Sequence, residues 1–161
     1  MFWSWLSTVL ILPFNAVMII PALLLWMTGY RYAGTSCAAR VCGGTLFLIG
    51  FALAVWTCGL FHVKGKGTAA PWNPPKHFVI SGPYRFVRNP MIISVLMMLA
   101  AEALFLRSWA VTAWAFTFWA INHFIYFPYI EEPKLLQRFG DDYAEYKKHV
   151  RRWIPRLKGI R

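Results

Sequence analysis

MIISVLMMLAAEALFLRSWAVTAWAFTFWAINHFIYFPYI (Met91–Ile130) is forty residues long and holds two charged side chains, Glu102 and Arg107. A helix crosses the hydrocarbon core of a bilayer in about 20 residues, so this stretch has the length of two spans. A turn near Arg107–Ser108 makes it a helical hairpin. Two further uncharged runs, Leu6–Met27 and Val41–Phe61, are each long enough for one span. The chain is therefore expected to be an all-α integral membrane protein with four transmembrane helices, over about 6–27, 41–61, 91–106 and 108–130. A polar loop, 62–90, and an amphipathic tail, 131–161, complete a single domain of residues 1–161.

Composition agrees. The 161 residues are 58% hydrophobic and 18% aromatic, with 14% charged and a mean hydropathy of +0.47, whereas soluble domains carry about 25% charged residues. The first run does not read as a signal peptide, because MFWSW has no basic residue. Pro13 and Pro21 each free a backbone carbonyl there, which neighbouring helices must satisfy.

The net charge is +11. In a soluble chain that would suggest nucleic acid, but here the basic residues follow topology. With both termini cytoplasmic, 14 of the 17 Lys and Arg fall in the 62–90 loop and the tail, leaving Arg31, Arg40 and Arg107 outside. The positive-inside rule selects that orientation. No nucleic-acid partner is expected. Membrane lipids are, with anionic headgroups facing the basic tail. The expected location is the inner or plasma membrane of a prokaryote.

Cys37, Cys42 and Cys58 are an odd set without metal spacing, and free thiols are expected, although Cys37 and Cys42 share the outer side. His62, His77, His123 and His149 form no H-x-x-x-H pair, so no metal is expected. The segment GKGTAAPWNPPKH (Gly65–His77) contains GKGT but lacks the spacing of a phosphate loop. Its prolines instead set an extended path along the surface.

Chemistry concentrates where the hairpin meets the inner face. GPYRFVRNPMII (Gly82–Ile93) leads into the third span, and YFPYIEEPKLL (Tyr126–Leu136) leaves the fourth. A tight hairpin brings these ends together, so Arg85, Arg88 and Asn89 approach Glu131 and Glu132 where the dielectric falls and Coulomb attraction grows. A ligand bearing both signs of charge fits there. S-adenosylmethionine has an ammonium, a carboxylate and a sulfonium, and carboxylates, arginines and backbone N–H groups can hold them. The plainer alternative is that the arginines bind lipid phosphate while the glutamates pair with Lys134 or Arg138. Beyond them, Leu135, Leu136, Phe139, Tyr143 and Tyr146 recur at helical spacing. That stripe marks an amphipathic helix, interrupted at Gly140, lying on the headgroups or closing over the site.

The order G-P-Y-R-x-x-R-x-P, hydrophobic hairpin, E-E-x-x-L-x-x-x-F-G-x-x-Y-x-x-Y resembles the isoprenylcysteine carboxyl methyltransferase family. Those are integral-membrane S-adenosylmethionine-dependent enzymes related to the phospholipid methyltransferases. The likeness runs from about Gly65 to Pro155. It implies a cofactor site lined by Lys76, His77, Phe78, Val79, Tyr84, Asn89, Pro90 and Met91, with Glu131 as the cofactor-holding carboxylate. It implies a reacting centre around Arg88, with Glu132 or Tyr84 as general base if the acceptor arrives protonated. Asn89 stands where the family commonly has His, Ile92 where it often has Tyr, and Phe127 where carboxylate-methylating members have Arg. Phe127 and His123 are expected to line the pocket of a small or lipid-like amphiphile, and the apolar Phe127 points away from carboxylate acceptors.

Two other readings fit the same features: an NADPH-dependent enzyme like the sterol reductases, and a non-catalytic protein that binds lipid or a partner helix. Glu102, near the outer end of its span, is expected to pair with Arg107 or reach water. Asn122 either lines the pocket or ties helices together, Pro128 bends the last span, and Trp3, Trp26, Trp109 and Trp153 anchor the interfaces.

Overall fold

The computed structural model of the protein describes residues 14–32, 34–67 and 74–159. Most of these residues are helical, and no strand is found among them. Helix α1 (Asn15–Met27) opens as a π-helix over Asn15–Ile19. Helix α2 is Cys37–Val63, α3 is Pro90–Leu106 and α4 is Trp109–Ile121. The chain then continues as a π-helical segment, Asn122–Glu131, into α5 (Glu132–His149). A 3-10 turn, Gly82–Arg85, precedes α3. Among the described residues α2 is the one helix long and apolar enough to cross a membrane by itself, while α1 and α3 are apolar and shorter. Residues 6–13 of the first expected span lie outside the described residues.

The hairpin turns where the sequence places it. Arg107 ends α3 in the left-handed region (φ 51°), and Ser108 caps α4 by accepting from the Val111 N–H at 3.4 Å. The last carbonyls of a helix have no partner within it. Tyr30 donates its hydroxyl to the Leu106 carbonyl and Thr35 donates to that of Phe105. Trp26 and Trp109 are 80% and 74% exposed at this end of the bundle, as interfacial anchors would be.

Helices α2 and α3 pack antiparallel and very close. Gly43, Gly50 and Thr57, two turns apart, are buried on α2. A Cβ on Gly50 would lie 3.0 Å from both Met97 Cβ and the Ser94 carbonyl oxygen. Small residues allow such backbone approach, which replaces the missing hydrophobic drive between helices in lipid. Gly50→Ala should lower stability by about 1–3 kcal/mol through overpacking. Gly44→Ala, where a Cβ meets nothing within 4 Å, should be silent. Thermal denaturation of both variants in detergent tests this, and equal melting temperatures would show that the interface is looser.

Proline shapes α1 as expected. In a π-helix the carbonyl of residue 16 faces the nitrogen of residue 21, and Pro21 has no N–H. The Trp114 indole on α4 donates to the Ala16 carbonyl instead, at 2.9 Å. At the other end of α4, Pro128 is absorbed by the wider π turns, with the Glu132 N–H bonded to the Phe127 carbonyl.

The tail does not lie as a plain surface helix. Gly140 breaks α5 (φ 52°, ψ −126°), and the stripe turns inward. Tyr143, Tyr146 and Val150 are buried against Phe78, Ile80, Leu135 and Phe139. Two backbone bonds then bind the chain end to the approach of α3, from Arg88 N–H to the Arg151 carbonyl and from Arg156 N–H to that of Phe86, each 2.9 Å. The buried part of the amphipathic face therefore packs on the 74–90 loop.

Candidate functional site

The approach to α3 and the start of α5 meet as their charges predict. Arg88 Nη1 lies 3.0 Å from Glu132 Oε1. The counter-ions are more numerous than the sequence indicates, because Lys147 Nζ reaches Glu132 Oε2 and Arg152 Nη2 reaches Glu132 Oε1, each at 2.5 Å. Lys134 and Arg138 are not among its partners. Burial by itself would raise the Glu132 carboxyl pKa, but Lys147, Arg152 and Arg88 outweigh it and the net shift is downward. Glu132 is thus an ion-pair hub, and its oxygens are committed.

Glu131 differs. Among the described residues no hydrogen bond or ion pair reaches its carboxyl. Burial, reinforced by the negative charge of Glu132 and opposed by Arg152, pushes its pKa up to about 7. The residue keeps some exposure, but its carboxyl is surrounded closely enough to be desolvated. Nearby, Arg88 Nε and Arg152 Nε are buried N–H donors without partners. Arg152 acts on the Glu131 charge and shares the Glu132 carboxyl with Arg88, so the free carboxyl and the two donors belong to one cluster. A buried group left unsatisfied in a native protein calls for an explanation, and a bound ion, water or reacting group is one.

Tyr84 is buried under the same cluster, with its ring 5.2 Å from that of Phe61 and its carbonyl accepting from the Tyr146 hydroxyl at 2.7 Å. Burial first, then the charges of Cys58 and Glu131, hold its phenol well above the usual range. That disfavours the phenolate needed of a base. Asn89 occupies the N-cap position of α3 without a side-chain cap bond, and Pro90 begins the helix, followed by Met91.

The other expected lining residues spread out. Lys76 and His77 are exposed, and both donate backbone N–H groups to the Gly65 carbonyl. Phe78 is a packing residue, with its ring 5.1–5.8 Å from those of Phe139, Tyr143 and Tyr146. Val79 is buried beside Gly65.

At the junction of α4 with the π-helical segment, Asn122 is buried and donates to the Phe118 carbonyl one turn earlier, at 2.8 Å. His123 stacks on Trp119 at 5.2 Å and accepts from the Trp153 indole at Nδ1, 2.7 Å away. Trp153 is partly buried and packs against this end of the bundle. Phe127 is 1% exposed, with Trp153 against its edge and the Arg152 guanidinium 5.7 Å above its ring. The inference that Phe127 leaves this place without a cation does not hold in space, because Arg152 arrives from the tail. Arg152 is fixed by the His123 carbonyl at 3.1 Å as well as by Glu132. Sequence reasoning missed Arg152 and Lys147 as site residues. The run RRWIP after the last helical turn was the available signal.

Among the described residues no group of three His, Cys, Asp or Glu side chains is placed to hold a metal ion, and all three cysteines are free thiols. Among the described residues, a helical bundle with an apolar surface carries a cluster of charged groups at one end, as a membrane-associated protein would. The family description of phospholipid methyltransferase matches residues 38–142, well over half of the chain, and the protein belongs to that family. No curated protein and no solved structure matches it.

Proposed function

We propose that the protein transfers a methyl group from S-adenosylmethionine to a small or lipid-like amphiphile at the cytoplasmic face of a four-span membrane domain. The observation that carries this reading is the unpartnered Glu131 carboxyl beside the orphan Nε–H donors of Arg88 and Arg152. An amino-acid zwitterion satisfies both: its ammonium bonds to Glu131 and its carboxylate to the guanidinium donors. When bound, S-adenosylmethionine supplies an electrophilic methyl group on sulfur.

The protein's own work is positioning and exclusion of water. Glu132 holds Arg88 and Arg152 in place through its ion pairs. The tail, bonded to residues 86 and 88, closes the end of the bundle. If the acceptor arrives protonated, neither Glu132, committed to its ion pairs, nor Tyr84, whose phenol burial holds well above the usual range, suits the role of base. Family membership favours methyl transfer over NADPH-dependent reduction.

Sealed vesicles of both orientations test the reaction and its face together. S-adenosylmethionine labelled in the methyl group, added outside, should label lipid-extractable product in inverted vesicles and not in right-side-out ones. Absence of transfer in either orientation, with no binding of S-adenosylhomocysteine by calorimetry, would overturn the enzyme reading. Transfer confined to right-side-out vesicles would reverse the topology.

A further inference from the structure

Trp153 reaches His123 through its indole, whose Nε1–H donates to His123 Nδ1 at 2.7 Å. An indole N–H can only donate. His123 Nδ1 is therefore the acceptor and carries no proton, so the neutral ring holds its hydrogen on Nε2. A proton on Nδ1 would set two donors against each other and break the contact. Trp119, stacked on the ring with 5° between their planes, and Phe124, edge-on at 4.6 Å, hold the imidazole in this orientation.

The same residue holds Arg152 from two sides. Its carbonyl accepts from Arg152 Nη1 at 3.1 Å, and its ring holds the next residue of the tail. Backbone bonds tie the tail at Arg151 and at Arg156. Between them, Arg152 and Trp153 are held by side-chain bonds to Glu132 and His123.

We infer that His123 is a positioning residue: in its Nε2–H form it latches the tail through Trp153 and so keeps Arg152 at the Glu132 cluster, and it opens the latch when it takes up a second proton. The consequence for ligand binding rests on the methyl-transfer reading, whereas the latch itself does not. Charge around the ring is mainly positive. Arg152 is bonded to His123, and Arg151 and Arg156 flank it on the tail. An imidazolium beside them is disfavoured while the latch is closed. Helix α4 carries no charged side chain, and the ionisable groups of the π-helical segment and the first turn of α5 are Tyr126, Tyr129, Glu131, Glu132 and Lys134. Of these Glu132 is committed to its ion pairs, which leaves Glu131 as the opposing charge. The closed latch excludes a proton that the released ring accepts, so acid favours release.

The experiment uses the full chain in nanodiscs, with isotope-labelled histidine rings and tryptophan indoles read by nitrogen NMR. At pH 8 His123 should show Nδ1 bare and Nε2 protonated. The Trp153 indole hydrogen should exchange about tenfold more slowly than those of the exposed Trp26 and Trp109. As pH is lowered to 5, that protection should vanish over the same interval in which His123 takes up its proton. His123→Asn puts an amide oxygen near the place of Nδ1, an acceptor that does not titrate in this range, and should keep the indole protected throughout.

Two further variants open the latch without acid. His123→Leu removes the acceptor, and Trp153→Phe removes the donor while keeping a ring against Phe127. At pH 8, where Glu131 is ionised, trypsin should cut both after Arg151 and Arg152 about two- to tenfold faster than it cuts wild type or His123→Asn, as the loss of one hydrogen bond implies. On the same ground His123→Leu should bind S-adenosylhomocysteine about two- to tenfold more weakly than His123→Asn. Indole protection that persists once His123 is protonated, digestion of both His123→Leu and Trp153→Phe at the wild-type rate, or equal measurable affinity in His123→Leu and His123→Asn would overturn the inference. Indole protection and digestion as expected, with no S-adenosylhomocysteine bound by wild type, would strike the methyl-transfer reading and leave the latch standing.

Discussion

Glu131→Gln should weaken binding of S-adenosylhomocysteine by roughly 10- to 150-fold, the equivalent of losing one charge-assisted hydrogen bond of about 1.5–3 kcal/mol. It should also remove the pH dependence of that binding. The wild-type carboxyl has a pKa raised from 4.5 to about 7 by burial, with Glu132 adding to the shift. Below about pH 7 it is protonated in the unliganded protein and cannot pair with an ammonium. Wild-type affinity should therefore fall by about tenfold per pH unit as pH drops below 7.

Stability behaves in the opposite sense. A carboxyl whose folded pKa is raised contributes stability that is complete below its unfolded value and lost as pH rises through the folded value. The window here is about pH 4.5 to 7. In the absence of ligand, Glu131→Gln should be more stable than wild type at pH 8 and about equal to it at pH 4. Calorimetry across pH 5–8 reads affinity, and thermal denaturation at pH 4 and 8 reads stability. An affinity profile in the variant that still bends near pH 7 would assign the titration to another group.

Glu132→Ala should cost about 3–5 kcal/mol of folding stability, the usual penalty for leaving buried charges without their partner. Side chains of Arg88, Glu132 and Arg152 are 13%, 8% and 18% exposed, so water compensates them poorly. Lys147, at 41%, contributes little of that loss. The wild-type carboxyl is depressed, so its contribution is present above pH 4.5 and disappears as pH falls through its folded value. Denaturant unfolding in detergent at pH 7 gives the magnitude. Limited trypsin digestion gives the place, because release of Arg152 should expose the 150–156 strap to cleavage. A loss under 1 kcal/mol with an unchanged digest would mean that the cluster is solvated and that the strap is held by its backbone bonds alone.

These two adjacent glutamates show what a linear reading reaches. Their meeting with Arg88 follows from the hairpin, since a forty-residue apolar run folded once returns its ends to the same face. Their division of labour does not follow. It depends on Lys147 and Arg152, which lie 15 and 20 residues beyond Glu132 across the break at Gly140, and no helical period connects positions so separated. Phe127 teaches the same lesson. Its apolar ring reads as a missing cation, yet Arg152 stands above it.

The sequence by itself determined the helical class, the turn at Arg107–Ser108, the apolar stripe of the tail and the pairing of the two charged motifs. Each rests on local period, run length or chain connectivity, which survive in one dimension. Only the tertiary structure decided that Glu131 is free while Glu132 is bound, that the tail packs on the 74–90 loop, and that Trp114 repairs the carbonyl opposite Pro21. Those outcomes depend on which groups compete for a partner at distances of about 3 Å, and that competition exists only once the helices are assembled.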